Sequence, residues 1–135
     1  MSGGASDFDD IRALAVAYCD AIHNAKPEVF EDMCHDNFSM TSVAPDGSAD
    51  FWDKAAYLAR VGGRDPFPGE PSYGIYDLDL AAGEIARVHL WVDVPPRQFE
   101  DHLGFIKVGG AWKLMTKVFR TASGPEREGR GADHG

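Results

Sequence analysis

The stretch "FEDHLGFIKVGGAWKLMTKVFRT", residues 99–121, holds two runs of strand-forming residues on either side of Gly109-Gly110. β-Branched and aromatic residues favour strands, and a glycine pair favours the two-residue turn of a hairpin. The stretch therefore predicts an antiparallel hairpin near the end of the chain. With the turn centred on the two glycines, the expected cross-strand pairs are Glu100 with Phe119, His102 with Lys117, and Gly104 with Met115.

This register gives the hairpin a mixed face and a mainly apolar face. The mixed face carries Glu100, His102, Met115, Lys117 and Phe119, which could surround a ligand if this face points inward. In the alternative arrangement the apolar face packs on helices and the mixed face meets water. Composition favours the second arrangement slightly, and a β-bulge in either strand would reverse the assignment of faces.

The first third of the chain has the spacing of helices. Apolar residues recur at i, i+3, i+4 and i+7, which predicts an amphipathic helix from a cap at Asp7 or Asp9 to about Asn24. Pro27 suits the first turn of a second, short helix that is expected to run through Cys34. Helices are therefore expected to precede most of the strands.

The middle of the chain changes from a helical to a strand period. Residues 37–43 alternate as a strand does, and residues 50–61 have the pattern of a third helix. Residues 73–94 alternate again, with a break near Ala82-Gly83, and Pro95-Pro96 marks a turn before the closing hairpin. Helices followed by antiparallel strands predict an α+β domain with its helices packed on one face of a curved sheet.

The length of 135 residues fits one domain, which we expect to span residues 7–121. Residues 1–6 and 122–135 are rich in glycine and polar residues, and we expect both segments to be disordered. The net charge of -9 argues against a nucleic-acid partner and against an anionic membrane surface. No apolar run is long enough to span a membrane, and no secretory segment is evident.

The residue pattern also predicts no metal or cofactor. Neither an H-x-x-x-H nor a C-x-x-C spacing occurs, and the glycines lack the context of a dinucleotide-binding motif. The two cysteines, Cys19 and Cys34, are expected to be buried free thiols, which fits a reducing, cytoplasmic location. The alternative, a disulfide, requires that the two helices place them side by side.

Two passages carry a family resemblance: "AVAYCDAIHNAKPEVFEDMCHDNFSM", residues 15–40, and "DHLGFIKVGGAWKLMTKVF", residues 101–119. Together they resemble the nuclear transport factor 2-like superfamily, and most closely its SnoaL-like and putative lumazine-binding branches. The resemblance implies a cone-shaped, cystatin-like fold with three N-terminal helices on a curved antiparallel sheet. It also implies a homodimer through the sheet and a small hydrophobic or aromatic ligand. Because such proteins use both sheet faces, it favours the mixed hairpin face as the wall of the cavity.

Candidate acid/base residues are His102 and His35, since histidine titrates near neutral pH. Lys117 or Tyr18 could stabilise a developing negative charge. The related ketosteroid isomerases place an oxyanion-hole tyrosine at the position of Tyr18 and a carboxylate base where this chain has Ser42. A serine cannot replace that base unaided, so the isomerase mechanism is not expected here.

Aromatic residues supply further candidate binding positions. His89 and Trp91 share one face of a predicted strand, which could line a pocket, lie half exposed or contact a second subunit. Trp52 and Tyr57 are expected to begin the third helix and to cover the cavity or core. As a predicted core residue, Tyr18 needs a hydrogen-bond partner for its hydroxyl.

Three functions fit these residues. The preferred hypothesis is a small-molecule-binding protein with an apolar, cone-shaped cavity that carries a few polar groups. The first alternative is a cofactor-free enzyme of the polyketide-cyclase, dehydratase or isomerase type that uses histidine acid/base chemistry. The second alternative is a dimerising adaptor.

Overall fold

The computed structural model describes residues 4–127, with side chains from residue 7 onward. This part of the chain folds into three helices and six strands. In chain order they are α1 Gly4–His23, α2 Pro27–Met33, β1 Cys34–Val43, β2 Ala49–Asp53, α3 Lys54–Gly62, β3 Tyr73–Ala81, β4 Ile85–Val94, β5 Arg97–Val108 and β6 Ala111–Ser123.

The strands form one curved sheet in the order β2-β1-β6-β5-β4-β3. Neighbouring strands are antiparallel except for β1 and β6, which pair in parallel. The helices pack on one face of this sheet and bury a core with it, including Ile11, Phe30, Leu90, Leu103 and Leu114. The predicted α+β arrangement of helices on a curved sheet is confirmed.

Several predicted element ends are wrong. α1 begins at Gly4, so Asp7 lies inside its first turn and does not cap it. The buried Asp7 carboxylate instead accepts hydrogen bonds from Lys107 Nζ at 2.9 Å and Trp112 Nε1 at 3.2 Å. α2 ends at Met33, one residue before the expected end at Cys34, and Cys34 and His35 begin β1.

The segment before α3 is a strand. Residues 49–53 pair with β1 as the edge strand β2, so Trp52 is a strand residue and the prediction of a helix from residue 50 is wrong. α3 starts one residue after Asp53, whose Oδ1 accepts a hydrogen bond from Ala56 N at 2.8 Å. This bond satisfies one of the free N–H groups at the helix start and fixes its position.

The C-terminal end of the described chain is folded further than predicted. β6 continues to Ser123, and the Arg127 side chain is only 5% exposed. Arg127 Nη2 donates to the Val43 carbonyl at 3.1 Å, and its Nη1 lies 3.0 Å from Asp50 Oδ2. The disorder predicted for residues 1–3 and 128–135 concerns positions outside the described residues.

A β-bulge in the closing hairpin changes which side chains face the helices. Near the turn, where both glycines have positive φ, the pairs run as predicted from Val108 with Ala111 to Phe105 with Leu114. Beyond the bulge Gly104 pairs with Thr116, which leaves Met115 as the extra residue. A side chain at Gly104 would come within 2.5 Å of Thr116 Oγ1, so the two strands approach closely here.

The bulge makes all three predicted cross-strand pairs wrong. One inserted residue reverses the inward and outward alternation of every residue that follows it. Lys117 now lies opposite Leu103 and points towards the core, while His102 points away from it. The observed pairs beyond the bulge include Glu100 with Arg120, Asp101 with Phe119, His102 with Val118 and Leu103 with Lys117.

Candidate functional site

A group of polar side chains is buried between the helices and the hairpin. Asp101 projects from β5 and Lys117 from β6, both on the face that the helices cover. Tyr18 reaches them from the apolar face of α1, and Tyr57 from α3. We call Tyr18, Tyr57, Asp101 and Lys117 the buried polar cluster.

The cluster is held by one short hydrogen bond and two longer contacts. Tyr18 Oη donates to Asp101 Oδ2 at 2.5 Å. Lys117 Nζ lies 3.9 Å from the same carboxylate oxygen and donates to Tyr57 Oη at 3.4 Å. The second carboxylate oxygen, Asp101 Oδ1, is buried without a hydrogen-bond partner among the described residues. An unsatisfied buried oxygen is rare and costly, which marks this cluster as unusual.

Burial dominates the electrostatics of the cluster. It raises the pKa of Asp101, and the nearby Lys117 ammonium only partly opposes this rise. Burial likewise lowers the pKa of Lys117 against the opposing effect of Asp101. The pKa values of Tyr18 and Tyr57 lie well above the ordinary range, again mainly because of burial. Both tyrosines are therefore neutral hydrogen-bond donors or acceptors at neutral pH.

A cavity of about 290 Å³ adjoins the cluster, and Lys117 and Tyr57 form part of its wall. Because the exposed Arg60 also lines it, the cavity reaches the protein surface. Its volume is close to the lower end of the ~300–1,000 Å³ that small-molecule sites occupy. The remaining wall residues are Ile22, Met40, Val61, Arg64, Phe67, Val94, Pro95, Arg97, Phe99 and Phe119.

Arg64 lies in the loop after α3 and contributes a guanidinium to the cavity wall. Its Nη2 donates to the Ile22 carbonyl at 2.6 Å, and the guanidinium carbon lies 4.5 Å from the centre of the Phe67 ring. Nη1 is buried without a hydrogen-bond partner within residues 4–127. Burial lowers the pKa of Arg64, and the positive charge of Arg60 lowers it further.

Arg97 is the first residue of β5, directly after the Pro95-Pro96 turn, and also lines the cavity. Its Nε donates to the Pro125 carbonyl at 3.0 Å, and its Nη2 to the Glu126 carbonyl at 3.2 Å. These bonds hold the segment after β6 beside the cavity wall.

The aromatic candidates Trp52 and Phe119 lie next to each other, with ring centres 5.7 Å apart. Phe119 lines the cavity, and Trp52 is buried beside it under the guanidinium groups of Arg60 and Arg127. Of the residues named from the sequence, the structure therefore gathers Tyr18, Tyr57, Lys117, Phe119 and Trp52 around one region.

The remaining hairpin candidates lie on the opposite face of the sheet. His89 Nε2 and Glu100 Oε2 are 2.5 Å apart, and the His89 and His102 ring centres are 4.5 Å apart. Arg120 Nη1 donates to Glu100 Oε1 at 2.9 Å. The hydrogen bond with His89, followed by that with Arg120, lowers the pKa of Glu100. We call His89, Glu100, His102 and Arg120 the outer-face cluster.

Four other residues discussed from the sequence lie outside the cavity wall. Trp91 projects from the outer side of β4 and packs on Gly74 of β3. His35 Nδ1 accepts a hydrogen bond from Asn37 N at 3.0 Å, and Met115 is the half-buried bulge residue. Ser42 Oγ donates to the Phe119 carbonyl at 2.8 Å, so this hydroxyl serves the pairing of β1 with β6.

Sequence reasoning missed Asp101, Arg64 and Arg97. Asp101 alternates with Leu103 and Phe105, so it was an acid within an apolar face, and such a residue needs a buried partner. That signal was available, but the unbulged register placed Lys117 on the other face. No sequence pattern separates the two arginines from other loop and strand-end residues.

Neither a metal site nor a membrane span is evident in the described part of the chain. Within residues 4–127, no three His, Cys, Asp or Glu side chains are grouped so that they could hold a metal ion. None of the described helices is long and apolar enough to cross a membrane. Cys19 and Cys34 are free and buried, as expected, and burial raises the pKa of the Cys34 thiol to about 12.

Solved structures share this fold. A nuclear transport factor 2-like protein of unknown function from Silicibacter pomeroyi has a TM-score of 0.81 and 20% sequence identity, covering 89% of this chain and 99% of that chain. One from Shewanella baltica has a TM-score of 0.83 and 14% identity over 92% and 100%. A ketosteroid isomerase-like protein from Erwinia carotovora atroseptica has a TM-score of 0.67 and 16% identity over 87% and 98%.

These likenesses show the fold of the chain, which is the α+β cone fold of nuclear transport factor 2-like proteins. The chain belongs to the "Putative lumazine-binding" family, whose model matches residues 6–120. The superfamily resemblance drawn from the sequence is thereby confirmed. No curated protein matches the chain in sequence.

Proposed function

We propose that this protein binds a small molecule with an apolar or aromatic body in the cavity beside Lys117. The observation that carries the proposal is a cavity of about 290 Å³ that combines apolar and aromatic walls with a buried ammonium group. Ligand sites typically have mostly apolar walls and a few fixed polar groups. The position of the Lys117 ammonium is fixed by Asp101 Oδ2 at 3.9 Å and by its hydrogen bond to Tyr57 Oη at 3.4 Å.

The geometry favours binding over histidine acid/base catalysis. The four described histidines are His23, His35, His89 and His102, and none of them lines the cavity. A general base must come within hydrogen-bond reach of the proton that it removes. The enzyme alternative would therefore have to use Lys117 or the cluster behind it.

The adaptor alternative concerns the other face of the sheet. Dimerisation through the sheet would cover the outer-face cluster, and this dimer stays a prediction. The cytoplasmic location also stays a prediction. An adaptor role requires that dimer-breaking changes abolish function while changes in the cavity have no effect. Binding in the cavity requires the opposite result.

The test is binding of N-phenyl-1-naphthylamine, a neutral dye whose fluorescence rises in apolar surroundings. Val94 lines the cavity, so Val94→Trp would fill part of it and weaken binding at least ten-fold. Val108→Trp is the matched control, since Val108 is 46% exposed at the opposite end of β5 from Arg97. Pteridines, steroids and aromatic polyketides would then be ranked by how well they displace the dye.

Two results would contradict the proposal. The first is no saturable dye binding by a protein that circular dichroism shows to be folded. The second is equal dye affinity in Val94→Trp, Val108→Trp and the unaltered protein, because binding would then lie elsewhere.

A further inference from the structure

The cavity wall has a positive charge that the rest of the chain does not share. Arg60, Arg64, Arg97 and Lys117 line the cavity, and none of the described wall residues is acidic. The whole chain carries a net charge of -9. Lys117 is paired with Asp101, so the positive field of the wall arises chiefly from Arg64 and Arg97, and low-dielectric walls strengthen such a field.

The cations of Arg64 and Arg97 have no carboxylate partner within residues 4–127. Their hydrogen bonds go to neutral carbonyl oxygens: Ile22 for Arg64, and Pro125 and Glu126 for Arg97. A hydrogen bond to a carbonyl oxygen orients a guanidinium but leaves its positive charge uncompensated. Arg64 also retains a buried Nη1 without a partner among the described residues. Both guanidinium groups can therefore donate hydrogen bonds to an added acceptor.

The positive groups are close enough to repel one another. The charge of Arg60 lowers the pKa of both Arg64 and Lys117, in addition to the larger effect of burial. Like charges held near each other disfavour their own ionised forms. A bound anion would relieve this repulsion, whereas a neutral ligand would leave it unchanged.

We infer that the ligand of this cavity is an amphiphilic anion: an apolar, preferably aromatic, body that carries a carboxylate or a similar oxyanion. The inference rests on the proposed function and specifies its ligand class. Phe67, Phe99 and Phe119 provide the surface for the apolar body. The guanidinium fork suits a planar oxyanion because it can donate two parallel hydrogen bonds. A bare inorganic anion would leave the aromatic wall unused.

The experiment compares two probes of nearly equal shape, 2-naphthoate and 2-naphthamide, by isothermal titration calorimetry at low ionic strength and pH 7. The carboxylate is expected to bind at least ten-fold more tightly than the amide. Added salt should weaken binding of the carboxylate and leave binding of the amide nearly unaffected, since screening acts on charge.

Arg64→Gln removes one cavity charge and is expected to reduce carboxylate affinity by about ten- to a hundred-fold, in line with a hydrogen bond to a charged group. Its amide affinity should stay unchanged, which also shows that the cavity is intact. Arg97→Gln provides the second test if Arg64→Gln does not fold. Arg87→Gln is the matched control, because it removes the same charge from a 56% exposed site paired with Asp77.

The outcomes test the anion inference and the proposed binding function separately. Equal affinity for both probes would overturn the anion inference and leave the proposed binding function standing. Binding of neither probe at millimolar concentration would overturn both. Equal losses in Arg64→Gln, Arg97→Gln and Arg87→Gln would also overturn the anion inference, because the effect would then reflect net charge and not the cavity.

Discussion

Adjacent residues of β5 have opposite environments. Asp101 is completely buried, and its pKa is raised mainly because burial penalises the carboxylate. Glu100, one residue earlier, lies on the outer face, where hydrogen bonds from His89 and Arg120 lower its pKa. Both acids have a cation nearby, but only Glu100 has a close hydrogen bond to one. Desolvation therefore outweighs charge pairing at Asp101 on the inner face, whereas pairing outweighs desolvation at Glu100 on the outer face.

The first prediction tests whether the β-bulge at Met115 determines which residues of β6 face the core. Deleting Val118, an exposed residue beyond the bulge, would move Phe119 and Arg120 one position along β6. If the bulge at Met115 stayed, Phe119 would point outward and Arg120 inward, so an apolar core would receive an arginine. If the bulge disappeared instead, Lys117 would point outward and leave the buried Asp101 without its cation. We expect a loss of more than about 4 kcal/mol in the free energy of unfolding, or no cooperative folding at all.

Urea denaturation followed by circular dichroism measures this loss. Val118→Ala is the control, because it shortens the same side chain but keeps the number of residues, and it should cost only about 1 kcal/mol. If the deletion variant unfolded cooperatively with nearly unchanged stability, the bulge would not determine which face is buried.

The sequence allowed most of the fold to be predicted, because helix and strand periods are local properties. The α1 stripe, the Pro27 start of α2, the break near Ala82-Gly83 and the Gly109-Gly110 turn all lie where they were expected. The strand β2 was missed because residues 49–53 are short and run directly into α3. Asp53 is a typical N-cap residue and could have marked the true helix start.

The candidate site was less predictable, because it depends on one inserted residue. Nothing in the side chain of Met115 signals a bulge, and local preferences are equally compatible with a regular hairpin. The sequence therefore identified Lys117, Phe119, Tyr18 and Tyr57 without bringing them together correctly. It combined Lys117 with His102, whereas the bulge combines Lys117 with Asp101.

The second prediction concerns the energetic cost of the buried polar cluster. Burial shifts the pKa of Asp101 up and that of Lys117 down, so both charged forms are disfavoured in the fold. Replacing both charges, in Asp101→Asn with Lys117→Met, is expected to leave stability unchanged or to raise it by about 1–4 kcal/mol. The asparagine carbonyl can still accept the hydrogen bond from Tyr18.

The single variants complete a double-mutant cycle, measured by urea denaturation. We expect a favourable coupling of about 1–3 kcal/mol between Asp101 and Lys117, since their charges attract at 3.9 Å in a buried site. The same cycle for Glu100 and Arg120 should give a smaller, salt-sensitive coupling, because Arg120 is exposed. A double variant that is clearly less stable than the unaltered chain would show that the pair stabilises the fold.

The smallest expected effect is the pH dependence of that difference, and its sign distinguishes the two faces. Asp101 has a raised pKa when folded, so its contribution to stability is complete below the unfolded value of about 3.9 and is lost as the pH rises through the folded value. Lys117 has a lowered pKa, so its penalty applies at low pH and disappears as the pH rises from its folded value towards about 10.4. The stability advantage of the Asp101→Asn, Lys117→Met variant should therefore be largest between the two folded pKa values and shrink on both sides.

Glu100 has a lowered pKa, so the pH dependence of its contribution to stability has the opposite sign. Relative to Glu100→Gln, this contribution exists above the unfolded pKa of about 4.3 and is lost as the pH falls through the folded pKa. Urea denaturation at one-unit steps from pH 3 to pH 10 measures both profiles, and acid-side slopes of the same sign for the two carboxylates would remove the distinction between the faces.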